Sequence, residues 1–123
     1  VRKICQNCRK EQPVPEPVAT QLKSELVGVP DVYYENIEKG KVQFYKGEGC
    51  EKCERTGYRG RLGIYEALAI IPEIQDLILA KEPSAKILEV ANKQGMISMR
   101  QDGIIKVLRG ETTLEEVVRV TKE

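Results

Sequence analysis

Four cysteines are the residues whose type and spacing speak most directly of chemistry. Cys5 and Cys8 stand two residues apart, Cys50 and Cys53 repeat that spacing, and residues 9–49 separate the two pairs. A Cys-x2-Cys hook folds its backbone back so that two sulfurs reach one ion at about 2.3 Å, and two hooks close a tetrahedron of four thiolates. With every position taken by protein sulfur, no place is left for a reacting water, so the expected role is structural. Disulfides are the competing reading. No secretory signal opens the chain, however, and distant paired hooks in a reducing compartment point to metal. A thioredoxin-like redox centre needs one hook at a helix start, which this sequence does not offer. The expected ligands are Cys5, Cys8, Cys50 and Cys53, and the expected ion is Zn²⁺.

The second hook runs into Gly57, Gly60 and Gly63, three glycines spaced three apart, with Arg59 and Arg61 between them. Glycines let a backbone approach a phosphate, but a dinucleotide fingerprint follows a strand and opens a helix, whereas this segment follows a hook and precedes a strand. No Gly-x4-Gly-Lys-Ser/Thr occurs. Tight turns around the metal are the expected use of the glycines. Arg59 and Arg61 are then solvated, paired (Glu66 is a candidate) or turned toward a partner. Arg2, Lys3, Arg9, Lys10, Lys52 and Arg55 are close enough in sequence to offset part of the charge of a tetrathiolate.

The rest of the chain must position these groups. Its 123 residues allow one domain or two small ones. Hydrophobic residues make up 41%, enough for a core, yet there is no Trp and only one Phe. A unit of about 60 residues is marginal alone, so a metal staple in the first half is expected. Twenty Lys and Arg balance nineteen Asp and Glu, for a formal +1. That balance argues against a surface built for nucleic acid. Histidine is absent, which removes Ser-His-Asp and Cys-His catalysis and mixed cysteine–histidine fingers. No apolar run reaches the roughly 18–20 residues of a membrane span. The opening at Val1, without a Met, fits a segment of a longer protein.

Hydropathy patterning predicts a strand ending at residue 4, an extended spacer over 11–17, and a short helix from Val18 to Val27 stopped by Gly28. It predicts strands over 41–45 and over 61–71, the latter running into the core. Helices follow: one with Pro72 in its first turn and a stripe of Ile74, Leu77 and Ile78, and one capped by Ser84 with Ile87, Leu88 and Ala91 inside. The next covers 98–109 with Met99, Ile104, Val107 and Leu108 inward and Gly110 as its stop. Gly103 costs that helix about 1 kcal/mol relative to Ala and so suggests a close contact. Thr112 or Thr113, each with a Glu three residues on, starts the last helix. The fold class is α+β: a small four-cysteine, zinc-stapled unit (1–71, with 61–71 as the linking strand) followed by an all-helical unit (72–123).

Cys50-x2-Cys53-x2-Thr56-Gly57-Tyr58-Arg59-Gly60-Arg61-x-Gly63-Ile64-Tyr65-Glu66 closely resembles the C-terminal part of the assembly ATPases of type II secretion and type IV pili, the GspE/PilB family. The run Gln94-Gly95-Met96 and the stretch from Asp102-Gly103 through Lys106-Val107, Gly110, Thr112-Thr113 and Glu115-Glu116-Val117 to Arg119-Val120-Thr121 are similar to that family's closing helices. Arg2-x-Ile4-Cys5-x2-Cys8 is similar to its first hook. The resemblance implies a cytoplasmic hexamer, peripheral to the inner membrane, that drives pilin or pseudopilin assembly through an inner-membrane platform protein. It implies contacts with the chain's own ATPase core and with neighbouring subunits. ATP and Mg²⁺ belong to that core, whose Walker motifs, Asp box and His box have no counterpart here, so this stretch alone is expected not to hydrolyse ATP. Ile64-Tyr65-Glu66 looks more pilus-like. Arg61 matches a family arginine that can reach the nucleotide, in the manner of an arginine finger. The alternative is a stand-alone zinc-ribbon binding module. Cys50-x2-Cys53-x3-Gly57-Tyr58 faintly resembles a J-domain co-chaperone repeat, which would recur, and a nucleic-acid ribbon would carry a basic face with stacking aromatics.

Overall fold

The computed structural model describes residues 1–35, 37, 41–66 and 70–121. Two short antiparallel ribbons frame the first half. Strand β1 (Arg2–Ile4) pairs with β4 (Tyr58–Arg61), and β2 (Arg9–Gln12) pairs with β3 (Phe44–Gly47). The first hook is the bend from β1 to β2, and the second is the bend from β3 to β4, with a turn of 3₁₀ helix at Glu51–Cys53. Pairing the outer strands with each other and the inner strands with each other therefore lays the hooks side by side.

Helix α1 (Glu16–Glu25) fills the excursion between β2 and β3. It begins two residues before the predicted start because Pro15 and Pro17 suit the first turn, where a missing N–H costs nothing. The expected spacer over 11–17 is correspondingly short, being strand to Gln12 and helix from Glu16. A 3₁₀ turn follows at Asp31–Tyr34. The strand predicted over 41–45 is displaced to Phe44–Gly47, where β2 supplies its partner.

The strand predicted over 61–71 is corrected. β4 ends at Arg61, the Leu62 amide makes one further bond to the Val1 carbonyl, and residues 63–66 are irregular. Residues 67–69 lie outside the described residues. Side chains of a later helix replace the strand ladder here. Lys106 Nζ donates to the Gly63 carbonyl at 2.6 Å, and the Tyr65 amide donates to Asp102 Oδ2 at 2.9 Å. A half-buried cation and its carboxylate thus satisfy backbone groups that a neighbouring strand would otherwise pair. Ile64 is buried, but Tyr65 and Ile70 are exposed.

Four helices follow among the described residues: α2 (Pro72–Leu79), α3 (Ser84–Lys93), α4 (Met99–Leu108) and α5 (Leu114–Thr121). In α2, Pro72 occupies the first turn and Ile74 is buried, while Ile78 of the predicted stripe remains exposed. Ser84 is not a cap: Pro83, extended, precedes the helix and leaves Ser84 as its first residue. In α4, Ser98 caps and Gln101 returns the bond, while Met99, at the helix start, is partly exposed. Between the two possible starts of α5, the Glu116 amide donates to the Thr113 hydroxyl, whereas Thr112 is fully buried and donates to the Arg2 carbonyl at 2.8 Å. No helix among the described residues is long and apolar enough to cross a membrane.

One apolar cluster joins the stretches expected to be separate units. Leu22, Leu26 and Val29 pack with Ile97, Ile104, Ile105 and Leu108. A second seam ties β1 to the α4–α5 corner: the Ile4 amide donates to the Glu111 carbonyl, and the Arg2 amide and guanidinium both reach Glu116. Among the described residues, small sheets, five α-helices and a four-cysteine cluster make the fold α+β, as expected.

Two predictions follow from this packing. A Cβ at Gly103 would stand 2.7 Å from Val117 Cγ1, so α4 and α5 approach closer than any other residue allows. Gly103→Ala is expected to destabilise by about 1–3 kcal/mol despite its better helix propensity. In a Val117→Ala background the same change should be neutral or stabilising in denaturant titrations. Glu116 is 2% exposed and accepts bonds from Arg119 and Arg2, which hold its carboxyl well below the usual carboxylate range. A depressed folded value means stability that is present above the unfolded pKa of about 4.3 and lost as pH falls. Thermal melts should therefore be flat in this contribution above about pH 5 and decline below about pH 4, and the acid-side slope should be shallower in Glu116→Gln.

Candidate metal centre

The hooks are local devices. Gly49 and Gly57 take positive φ (101° and 82°) on either side of Cys50 and Cys53, and a Cβ on Gly57 would meet the Gly47 carbonyl oxygen at 2.5 Å. Gly57 is thus required twice, by its turn and by the close approach of β3. Its carbonyl accepts from the Cys5 amide at 2.9 Å, which brings the two hooks into register.

The four Sγ atoms all lie within 4.8 Å of one another. Cys5 to Cys50 is 3.8 Å, Cys8 to Cys53 is 3.9 Å, and Cys50 to Cys53 is 3.6 Å. A disulfide would need about 2.05 Å, and all four thiols are free. A regular tetrahedron with sulfur about 2.3 Å from its centre has edges of about 3.8 Å. Three of the six sulfur–sulfur edges therefore match a four-coordinate ion and the rest stay within 4.8 Å, so the site can bind a metal. Cys5, Cys8 and Cys53 are buried and Cys50 is half-buried.

Donors converge on the sulfurs from outside the tetrahedron. The Gly49 amide points to Cys8, the amides of Cys50 and Gly57 point to Cys53, and the Asn7 carboxamide points to Cys50, each at 3.3 Å. The Asn7 carboxamide holds the Cys50 thiol below its ordinary value. Burial works against the Cys53 thiolate, but the two amides outweigh it and bring the group down to about 6. Burial pushes the Cys8 thiol up, and the single Gly49 amide offsets only part of that. Thiolates thus form more readily at Cys50 and Cys53 than at Cys8, where a cation at the centre would favour the charged form. Asn7 and the turn amides were not singled out by the sequence. The only signal was their place inside or beside the hooks.

The other candidates are placed as follows. Arg9 lies over the Tyr45 ring at 4.9 Å and donates to the Gly110 carbonyl, and Arg2 lies over Tyr58 at 4.2 Å while pairing with Glu116. Both serve the packing of the ribbons on α4 and α5 rather than the sulfurs. The Arg59 and Arg61 side chains are exposed and have no hydrogen bond or ion pair among the described residues, so the pairing with Glu66 is not found. The Lys106–Asp102 pair under Tyr65, at 2.8 Å with both groups largely buried, was missed. Its helix-face spacing of four was the available sign.

With this geometry established, comparison with known proteins gives consistent matches. The sequence model of the family described as "Type II/IV secretion system protein" matches residues 1–119. The chain is 40% identical over 124 residues to the type IV pilus assembly ATPase PilB of Thermus thermophilus, covering 100% of this chain and 13% of the relative. It is 38% identical over 122 residues to PilB of Pseudomonas aeruginosa (99% and 20%) and 38% identical over 123 residues to type II secretion system protein E of Aeromonas hydrophila (100% and 22%). The chain thus spans about a fifth or less of the length of two of these relatives and little more of the third.

Metal analysis of the purified chain is expected to find one ion per molecule. Cys53→Ser, which removes the sulfur with the most amide donors, should abolish stoichiometric binding. A folded Cys53→Ser chain that still binds one ion tightly would contradict the site.

Proposed function

The chain belongs to the type II/IV secretion system protein family, and on that premise we propose that it is the closing portion of an ATPase that powers pilin or pseudopilin assembly. Residues 1–71 supply its four-cysteine unit and residues 72–123 its helical unit, on one shared core. The observation that carries this reading is similarity across the whole chain, at 38–40% identity, to proteins named as pilus assembly ATPases and a type II secretion protein. The metal is Zn²⁺, held by Cys5, Cys8, Cys50 and Cys53. Four thiolates at tetrahedral spacing suit zinc and leave no open position, so the ion is a staple and takes no part in hydrolysis. ATP and Mg²⁺ bind in the core of the longer protein, and this stretch does not turn over ATP alone.

The partners are that core, neighbouring subunits of a hexamer and an inner-membrane platform protein. The enzyme sits in the cytoplasm at the membrane periphery. Helices α2 and α3 pack chiefly on each other, and Ile70, Ile78, Leu79 and Leu88 beside or on them are exposed, which suits contact with another part of the assembly. Arg61 contributes a guanidinium to the nucleotide phosphates. Its support is an exposed position at the end of β4 with no internal ion pair to break.

In the longer ATPase, Arg61→Ala is expected to lower turnover while metal content and melting temperature stay unchanged. The loss should be at least about tenfold and below the roughly 10³–10⁵-fold of the strongest arginine fingers. Arg61→Lys should recover part of it, because an ammonium cannot contact phosphate bidentately. Arg59→Ala should change turnover little. Loss of turnover and metal together in both variants would place the arginines in support of the metal unit instead.

A further inference from the structure

The ribbon formed by β1 and β4 carries an unusual charge arrangement. Its strands read Arg2-Lys3-Ile4 and Tyr58-Arg59-Gly60-Arg61, four cations and no acid. In the antiparallel register Arg2 stands opposite Arg61 and Ile4 opposite Tyr58, so two residues, Arg59 and Gly60, face the single Lys3 between them. Gly60 has φ +86°, and a Cβ there would stand 3.8 Å from the Lys3 side chain. This bulge changes the alternation of β4. Without it Arg59 and Arg61 would share a face. With it, Arg61 is the direct cross-strand neighbour of Arg2, and Arg59 falls beside Lys3.

Like charges directly opposite on a ribbon repel. One carboxylate nearby answers only one member of the pair. Glu116 accepts from Arg2 Nε at 2.9 Å and from Nη2 at 3.2 Å, and it also accepts from Arg119 Nε and Nη2, both at 3.0 Å. Among the described residues that leaves Arg2 Nη1 without a partner, with the Arg2 side chain 52% exposed and its plane fixed between Glu116 and the Tyr58 ring. Arg61, across the ribbon, is exposed with no partner among the described residues.

We infer that Arg2 and Arg61 form a two-guanidinium clamp for the phosphoryl oxygens of a soluble polyphosphate chain, with Glu116 fixing the orientation of Arg2. Paired guanidiniums match phosphate oxygens bidentately and in charge. A guanidinium already held by a buried carboxylate loses less freedom when the anion arrives. The clamp rests on the nucleotide reading of Arg61 and extends it: the anion is held from both strands, and the Gly60 bulge determines which arginine meets it. Glu116 is then a positioning residue as well as part of the fold, and Arg2 touches the anion itself.

The test is a titration of the metal-loaded chain with inorganic tripolyphosphate, followed by guanidinium and amide NMR shifts and by calorimetry. The expected result is saturable 1:1 binding that moves the Nε resonances of Arg2 and Arg61 together. Arg61→Gln should weaken it about tenfold or more and, without phosphate, should melt no lower than the parent, because a like-charged pair has been relieved. Arg59→Gln should bind within about twofold of the parent. Equal weakening by Arg59→Gln and Arg61→Gln would show diffuse attraction and overturn the clamp. So would binding to phosphatidylglycerol vesicles with none to tripolyphosphate, which would make the ligand a lipid headgroup. The clamp and the turnover reading fail separately. Tripolyphosphate binding that needs Arg61, beside normal turnover in Arg61→Ala, supports the clamp and removes the catalytic role. Lost turnover without tripolyphosphate binding overturns the clamp alone.

Discussion

Four sulfurs that must stand about 3.8 Å apart set the constraint on which the rest of the structure depends. They come from two short bends separated by residues 9–49, and bringing the bends together leaves the chain few choices. The strands entering and leaving them must pair as β1 with β4 and β2 with β3. The excursion between must return, and α1 is the element that fills it. A core this poor in large residues gains little from area alone. A tetrathiolate ion is a compact way to hold such a unit, and the amides of Gly49, Cys50 and Gly57 aimed at the sulfurs reduce the cost of gathering negative charge.

The constraint reaches the helices through β1. Ile4 and Cys5 are adjacent; one amide bonds to the Glu111 carbonyl before α5 and the other to Gly57 in the second hook. Arg2, three residues from a cysteine, carries its main chain and side chain onto Glu116 of α5. The four-cysteine unit and the closing helices are thus joined by polar bonds of high sequence separation, while α1 and α4 are joined by aliphatic packing. Beyond Leu62 the direction of the chain is set by α4 instead, through Lys106 and Asp102.

Much of this was legible in the sequence wherever the determining interaction is local. The hooks announce themselves by ligand spacing, Gly103 by its cost inside an apolar helix, and the last helix by its threonine–glutamate pairs. What was not legible depends on partners far along the chain. Residues 61–71 are apolar enough to read as a strand, yet side chains some forty residues later satisfy the backbone of Gly63 and Tyr65. Ser84 has the right chemistry for a cap but follows an extended Pro83, so the helix starts at it and not after it. The boundary after residue 71 marks a change of pattern and not a gap in packing, because Leu22 and Leu26 meet Ile104 and Ile105. The facing of Arg2 and Arg61 required the register of a bulged ribbon, which no periodicity encodes.

The central claim is that the ion organises the ribbons and, through β1, their seam with α5. Amide hydrogen exchange on the metal-loaded and metal-stripped chain measures it directly. The account predicts that the amides of Ile4, Cys5 and Leu62 lose protection together when the metal is removed, while those of Ile105, Val107 and Leu108 in α4 retain more of theirs. Unchanged protection at Ile4 and Cys5 in the metal-free chain would show that the ribbons stand without the tetrathiolate site, and would contradict the account.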